Sequence, residues 1–107
     1  MEFNLPKGFN FKPLYFSALY REMVALKKTS PQLKVLVSVG GTVVGSSDFE
    51  AISGSAASRQ LFARNALAFL RRYSLDGLDV DWEFPQPSYK NKFTLLMKVC
   101  SRIEKLF

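Results

Sequence analysis

A chain of 107 residues in which 48% of the side chains are hydrophobic, with ten Phe, has the length of one domain and enough apolar content to bury a core, which excludes a disordered tether. Fifteen basic against nine acidic residues leave a net charge of +6, but Lys27, Lys28, Arg71, Arg72, Lys98 and Lys105 fall near the ends or polar faces of predicted helices. Cations there complement the helix dipole and keep the surface solvated, so no nucleic-acid partner is expected; nor is a membrane, since no apolar run reaches the roughly 18 residues of a span.

Residues 1–13 carry three Phe, two Pro and one Gly without a sustained period and are expected to be irregular. They also lack the apolar block of about 7 to 15 residues that a secretory signal needs, so no signal peptide is expected in this chain. The regular elements fall within 14–107. Tyr15, Leu19, Met23 and Leu26 recur at helical spacing and predict a helix over 14–28, stopped by Thr29, Ser30 and Pro31. Residues 33–39, Leu-Lys-Val-Leu-Val-Ser-Val, are nearly continuously apolar and rich in β-branched side chains, the pattern of a parallel strand covered on both faces. Gly40 and Gly41 follow it directly. A Gly- and Ser-bearing loop over 42–48 comes next, at the strand's C-terminal end, where backbone can approach a ligand closely.

Phe62, Ala66, Phe69, Leu70 and Tyr73 predict a second helix over 58–73, with Arg59 and Arg64 on its other side. A second strand over 75–83 ends at Pro85 and Pro87, which remove backbone donors. In the last helix Phe93, Leu96, Met97, Cys100, Ile103 and Phe107 share a face, opposite Lys92, Lys98, Arg102 and Lys105. Cys100 is the only cysteine, so no internal disulfide is available, and it reads as a small buried hydrophobe. The order α, β, α, β, α with short connections is that of an α/β fold with a parallel sheet or βα barrel.

The second strand carries the chemistry. Side chains alternate along a strand, so Asp79, Asp81 and Glu83 share one face while Leu78, Val80 and Trp82 share the other. The apolar face packs on helices, and Trp82 is read as core, leaving three carboxyls in a row about 6.5 to 7 Å apart. Like charges so confined cannot all ionise freely, and a raised pKa is how a carboxylic acid remains a proton donor near neutral pH. Glu83, last on the strand and longest in reach, is the best-placed donor. A solvated strand face or a carboxylate cluster for a divalent cation would give the same alternation, but neither accounts for Gly40 and Gly41.

The stretch Asp76-Gly77-Leu78-Asp79-Val80-Asp81-Trp82-Glu83 resembles the signature of family 18 glycoside hydrolases, the chitinases and chitinase-like lectins, and residues 33–41 are similar to that family's third barrel strand with its Ser-x-Gly-Gly turn. The resemblance is firm over 32–85. It implies a fragment of a (β/α)8 TIM barrel covering the third and fourth βα units, with an irregular segment over 1–13 and a partial catalytic domain over 14–107. It further implies a secreted enzyme acting on chitin and other β-1,4-linked N-acetylglucosamine oligomers by a substrate-assisted, retaining mechanism, without cofactor or metal. In that scheme Glu83 is the proton donor, Asp81 orients the acetamido group and stabilises the intermediate, Asp79 is a supporting acid, and Gly40, Gly41 and Thr42 border the substrate. Asp76 is a turn residue with Gly77. Thr42 stands where family members often carry a Trp on which a sugar can stack.

A complete barrel of this kind needs eight strands and about 250 residues, whereas two strands are found here. The isolated chain is therefore expected to be inactive and to self-associate through open sheet edges. The alternative is a truncated, inactive chitin-binding product. Lectins of the family usually replace the glutamate, so an intact Glu83 favours an enzyme lineage.

Overall fold

A computed structural model describes residues 13–42 and 45–103. The irregular segment expected at the N-terminus lies, up to residue 12, outside the described residues, as do Lys105 and Phe107 of the last helix. Pro13–Ala25 form helix α1, tightened into a 3-10 turn over Leu26–Lys28 that ends where Thr29 Oγ1 and the amides of Thr29 and Ser30 bond the Leu26 carbonyl. The buried stripe of α1 differs from the one its spacing suggests. Tyr20 and Val24 face the core, while Leu19, Met23 and Leu26 are exposed. Two adjacent apolar stripes run along this helix, and the rings of Phe69 and Tyr73, 5.5 and 5.3 Å from that of Tyr20, select the second.

Two strands pair in parallel: β1, Leu36–Gly40, and β2, Gly77–Asp81, with Leu36 opposite Gly77 and Gly40 opposite Asp81. Val35, Val37 and Val39 are buried, but Leu36 is 55% exposed and Ser38 is exposed too. β1 is thus covered on one face and not on both, because no element among the described residues packs over the second. Asp76 fixes where the pairing starts. Its amide donates to the Val35 carbonyl at 2.8 Å, its Oδ2 accepts from the Val35 amide at 2.7 Å, and the same oxygen forms an ion pair with Lys27. One side chain so ties the entry of both strands to the end of the preceding helical turn.

The crossover from β1 to β2 holds two helices where one is expected. The first, α2, spans Ser47–Ser53 and buries Phe49 and Ile52 completely. The Arg59 guanidinium donates to the Ser53 carbonyl at 2.7 Å, satisfying an acceptor at the end of α2. The second, α3, spans Ala56–Tyr73 and starts with a reciprocal cap: the Ser58 amide donates to Ser55 Oγ and the Ser55 amide to Ser58 Oγ, both at 3.1 Å. It ends on Ser74 in the left-handed region, φ 57°, with Leu75 N bonded to Leu70 O and Ser74 N to Arg71 O. That is the Schellman pattern, with Leu70 and Leu75 together in the core beneath it. After β2, a 3-10 turn over Pro87–Tyr89 leads into α4, Lys90–Arg102.

The core divides into two main groups joined by Leu78. One gathers Val39, Phe49, Ile52, Phe62, Trp82 and Leu96 at the C-terminal ends of the strands. The other gathers Val35, Val37, Leu70, Tyr73 and Leu75 at their N-terminal ends. Cys100 is half-buried against the first group, and burial pushes its thiol up to about 11, as suits a residue used as a hydrophobe. Among the described residues no helix is long and apolar enough to cross a membrane.

Two outcomes follow for stability. Phe49→Ala, at a residue with no exposed surface, is expected to cost about 3–5 kcal/mol in denaturant unfolding. The Asp76 carboxyl is held below the usual carboxylate range, first by the hydrogen bond from Lys27 and then by that from the Val35 amide. Its contribution is therefore present above the ordinary carboxylate pKa and lost as pH falls through the depressed one. Asp76→Asn should melt below wild type at neutral pH, and the gap should close in acid.

Candidate active site

β2 and the residues after it sort their side chains by face. Leu78 and Val80 pack against the core and Trp82 is buried within it, whereas Asp79 is exposed and Asp81 and Glu83 are half-buried on the other side. The Trp82 ring stacks on Phe49 at 5.5 Å and meets Phe93 and Tyr89 edge-on, while its Nε1 donates to Ser46 Oγ at 2.6 Å. Stacked on Phe49, flanked by two further rings, 5% exposed and with its only donor occupied, this indole belongs to the core.

The acids take their places from β1. Ser38, the register partner of Asp79, donates from Oγ to Asp79 Oδ2 at 2.8 Å. At the next pair on that face Gly40 lies opposite Asp81, and the amide that follows, Gly41, donates to the Asp81 carbonyl, also at 2.8 Å. Gly40, at φ 121°, lies so close to β2 that a β-carbon would fall 2.1 Å from the Asp81 carbonyl oxygen and 2.9 Å from the Phe49 ring. Its lack of a side chain is therefore a packing requirement. Gly41, at φ 87°, borders the acids: a β-carbon there would stand 3.7 Å from Asp81 Oδ2. Thr42 is exposed in the turn that follows, and residues 43 and 44 of the expected loop lie outside the described residues.

The Glu83 carboxyl is pushed above the ordinary range, first by desolvation, then by the negative charge of Asp81, then by a hydrogen bond with Asp81, in which the protonated Glu83 donates. Each of these causes favours the protonated form of Glu83, the form that can give a proton to a base arriving beside it. Phe84, the next residue, is 76% exposed. Among the described residues no group of three or more His, Cys, Asp or Glu is gathered as a metal site would require.

The arrangement brings Asp79, Asp81, Glu83, Gly40 and Gly41 to one end of the paired strands and leaves Thr42 at its border. Two residues at this end have partners that the motifs do not state. Ser38, the serine of the Ser-x-Gly-Gly turn, is set beside Asp79 by the register, two residues before Gly40 on the exposed face of β1. Ser46 has no signal in the sequence, because its partner is 36 residues away.

The family model described as "Glycosyl hydrolases family 18" matches residues 7–105. Chitotriosidase-1 of Mus musculus is 44% identical over 85 residues, covering 75% of this chain and 18% of its own length. Among solved structures, the Group IV chitinase of Ostrinia furnacalis superimposes with a TM-score of 0.78 at 29% identity, over 87% of this chain and 27% of that one. Human YKL-39, described as a pseudo-chitinase with retained chitooligosaccharide binding properties, superimposes with a TM-score of 0.73 at 36% identity, over 80% of this chain and 24% of that one. The chain thus spans less than a fifth of the mouse protein and about a quarter of each solved chain.

A carboxyl with a raised folded pKa favours folding below its unfolded pKa, and that advantage is lost as pH rises through the raised value. Glu83→Gln is accordingly expected to melt above wild type at neutral pH, with the difference vanishing in acid. Thermal melts across pH check this.

Proposed function

Because the chain belongs to the glycosyl hydrolases of family 18, we propose that it supplies the acid-bearing strand of a chitinase-type active site, β1 and β2 being the third and fourth strands of the barrel. The observation that carries this reading is the Asp81–Glu83 pair, a carboxyl with a raised pKa just beyond the C-terminal end of a parallel strand, where βα barrels build their active sites. The substrate is a β-1,4-linked N-acetylglucosamine polymer.

In the proposed reaction Glu83 gives its proton to the glycosidic oxygen as the bond to the anomeric carbon breaks, and the carbonyl oxygen of the sugar's own N-acetyl group bonds to that carbon. Asp81 accepts the acetamido N–H and, as an anion, stabilises the positive charge that grows on the cyclised group. Water then opens the ring, returning a proton to Glu83 and retaining configuration. Asp79, held by Ser38, supports Asp81 from behind, and Gly41 keeps the space beside Asp81 open. Gly40 serves through packing, and Thr42 borders the sugar without the stacking surface of an indole.

The likeness to YKL-39 favours one second reading, a chitin-binding product without turnover. Among the described residues two paired strands leave the opposite wall of the site unbuilt, so these residues taken alone do not exclude water or preorganise their acids. Their open edges also favour self-association, which sedimentation would register.

The test is hydrolysis of a fluorogenic chitobioside. In a complete barrel containing this strand, Glu83→Gln should lower turnover by about 10²–10⁴-fold, the usual worth of a general acid. A chelator should leave the rate unchanged. The 107-residue chain alone should match its own Glu83→Gln variant. Turnover by the monomeric chain that Glu83→Gln abolishes would show that the missing wall is dispensable, and a complete barrel indifferent to Glu83→Gln would remove Glu83 from the reaction.

A further inference from the structure

Glu83 stands two residues beyond the last paired position of the sheet, Gly40 opposite Asp81, so the ladder that fixes Asp79 and Asp81 does not extend to it. Both of its chain neighbours nevertheless reach the same atom. Ser46 Oγ accepts from Trp82 Nε1 at 2.6 Å and lies 3.5 Å from the Phe84 carbonyl oxygen. Its single proton is shared between that carbonyl and Glu50 Oε1, 3.4 Å away. Ser46 also immediately precedes α2, whose Phe49 stacks on the Trp82 ring. The loop leaving β1 therefore grips the strand extension on either side of Glu83 through one hydroxyl.

We propose that Ser46 is a positioning residue for Glu83, holding the backbone of 82–84 so that the Glu83 carboxyl stays against Asp81. Ser46 touches no reacting group. It acts by fixing two flanking points from the helix-bearing side, with Phe49 holding the Trp82 ring and Ser46 its polar edge. Loss of the hydroxyl leaves the indole donor buried without an acceptor and frees the Phe84 carbonyl, and the ring must then shift to satisfy its N–H. Such a shift carries Glu83 with it. A threonine keeps the hydroxyl and should keep the grip.

This inference rests on the reading of Glu83 as proton donor, but its test reads the carboxyl itself. An unmoved titration counts against Ser46, whereas failed turnover counts against the reading of the reaction. The Glu83 carboxyl is followed by carbon-13 NMR across pH in the full chain and in Ser46→Ala, Ser46→Thr and Trp82→Phe. Glu50 on α2 and Asp81 on β2 are followed in the same spectra, so that a change arising at either is told apart from one at Glu83. The expected result is a downward shift of the Glu83 titration toward the ordinary carboxylate range in Ser46→Ala and Trp82→Phe, with Ser46→Thr matching wild type. Ser46→Ala folded and titrating as wild type overturns the proposal, as does Ser46→Thr behaving like Ser46→Ala. If Ser46→Ala alone does not fold, Ser46→Ala combined with Trp82→Phe leaves no orphaned donor, and its Glu83 titration decides by the same criterion.

Discussion

The backbone of Gly40 lies so close to β2 that a β-carbon there would fall 2.1 Å from the Asp81 carbonyl oxygen, and the next amide, that of Gly41, donates to that same oxygen at 2.8 Å. The paired acids, Asp79 and Asp81, are placed by this approach. It sets Ser38 opposite Asp79, where the Ser38 hydroxyl donates to the Asp79 carboxyl. A larger residue at 40 would have to push the strands apart at Asp81. The demand is for the absence of atoms, and it fixes glycine there independently of any ligand.

A single strand performs two tasks because its faces are separated by the period of two. The side chains on the core face, Leu78, Val80 and Trp82, supply apolar contact with α2, α3 and α4, and this burial anchors the acids carried on the other face. At Glu83 desolvation and the neighbouring Asp81 both raise the pKa. Asp76 at the other end of β2 shows the opposite case: paired with Lys27 and bonded to the Val35 amide, its charge favours the fold. The strand is thus clamped electrostatically where it enters and loaded electrostatically where it leaves, an arrangement that concentrates the cost of the acids at the end where their chemistry lies.

Much of this was legible in the residues. The strict alternation from Leu78 to Glu83 placed the acids and Trp82 on opposite faces without knowledge of any neighbour, and the long periodic stretches gave three helices. The short helix over Ser47–Ser53 was not legible, because two buried apolar residues, Phe49 and Ile52, are too few to establish a period against the Gly- and Ser-rich context before them. The face of the first helix was misread for the converse reason, an excess of apolar positions, which only the rings of Phe69 and Tyr73 could resolve. The bonds of Asp76, Ser38 and Ser46 to partners 36 to 41 residues distant depend on the register of the two strands and on the docking of α2. Local pattern carries no information about either. Membership of the family was carried by the acidic strand and the paired glycines, both local motifs.

The pairing of Glu83 with Asp81 is read most directly by following the Glu83 carboxyl by carbon-13 NMR across pH in the wild-type chain and in Asp81→Asn, a change that leaves the backbone bond from Gly41 in place. A Glu83 titration above the ordinary carboxylate range that moves down in Asp81→Asn is the predicted result. A Glu83 that titrates as an ordinary exposed carboxylate, with no response to Asp81→Asn, would contradict it.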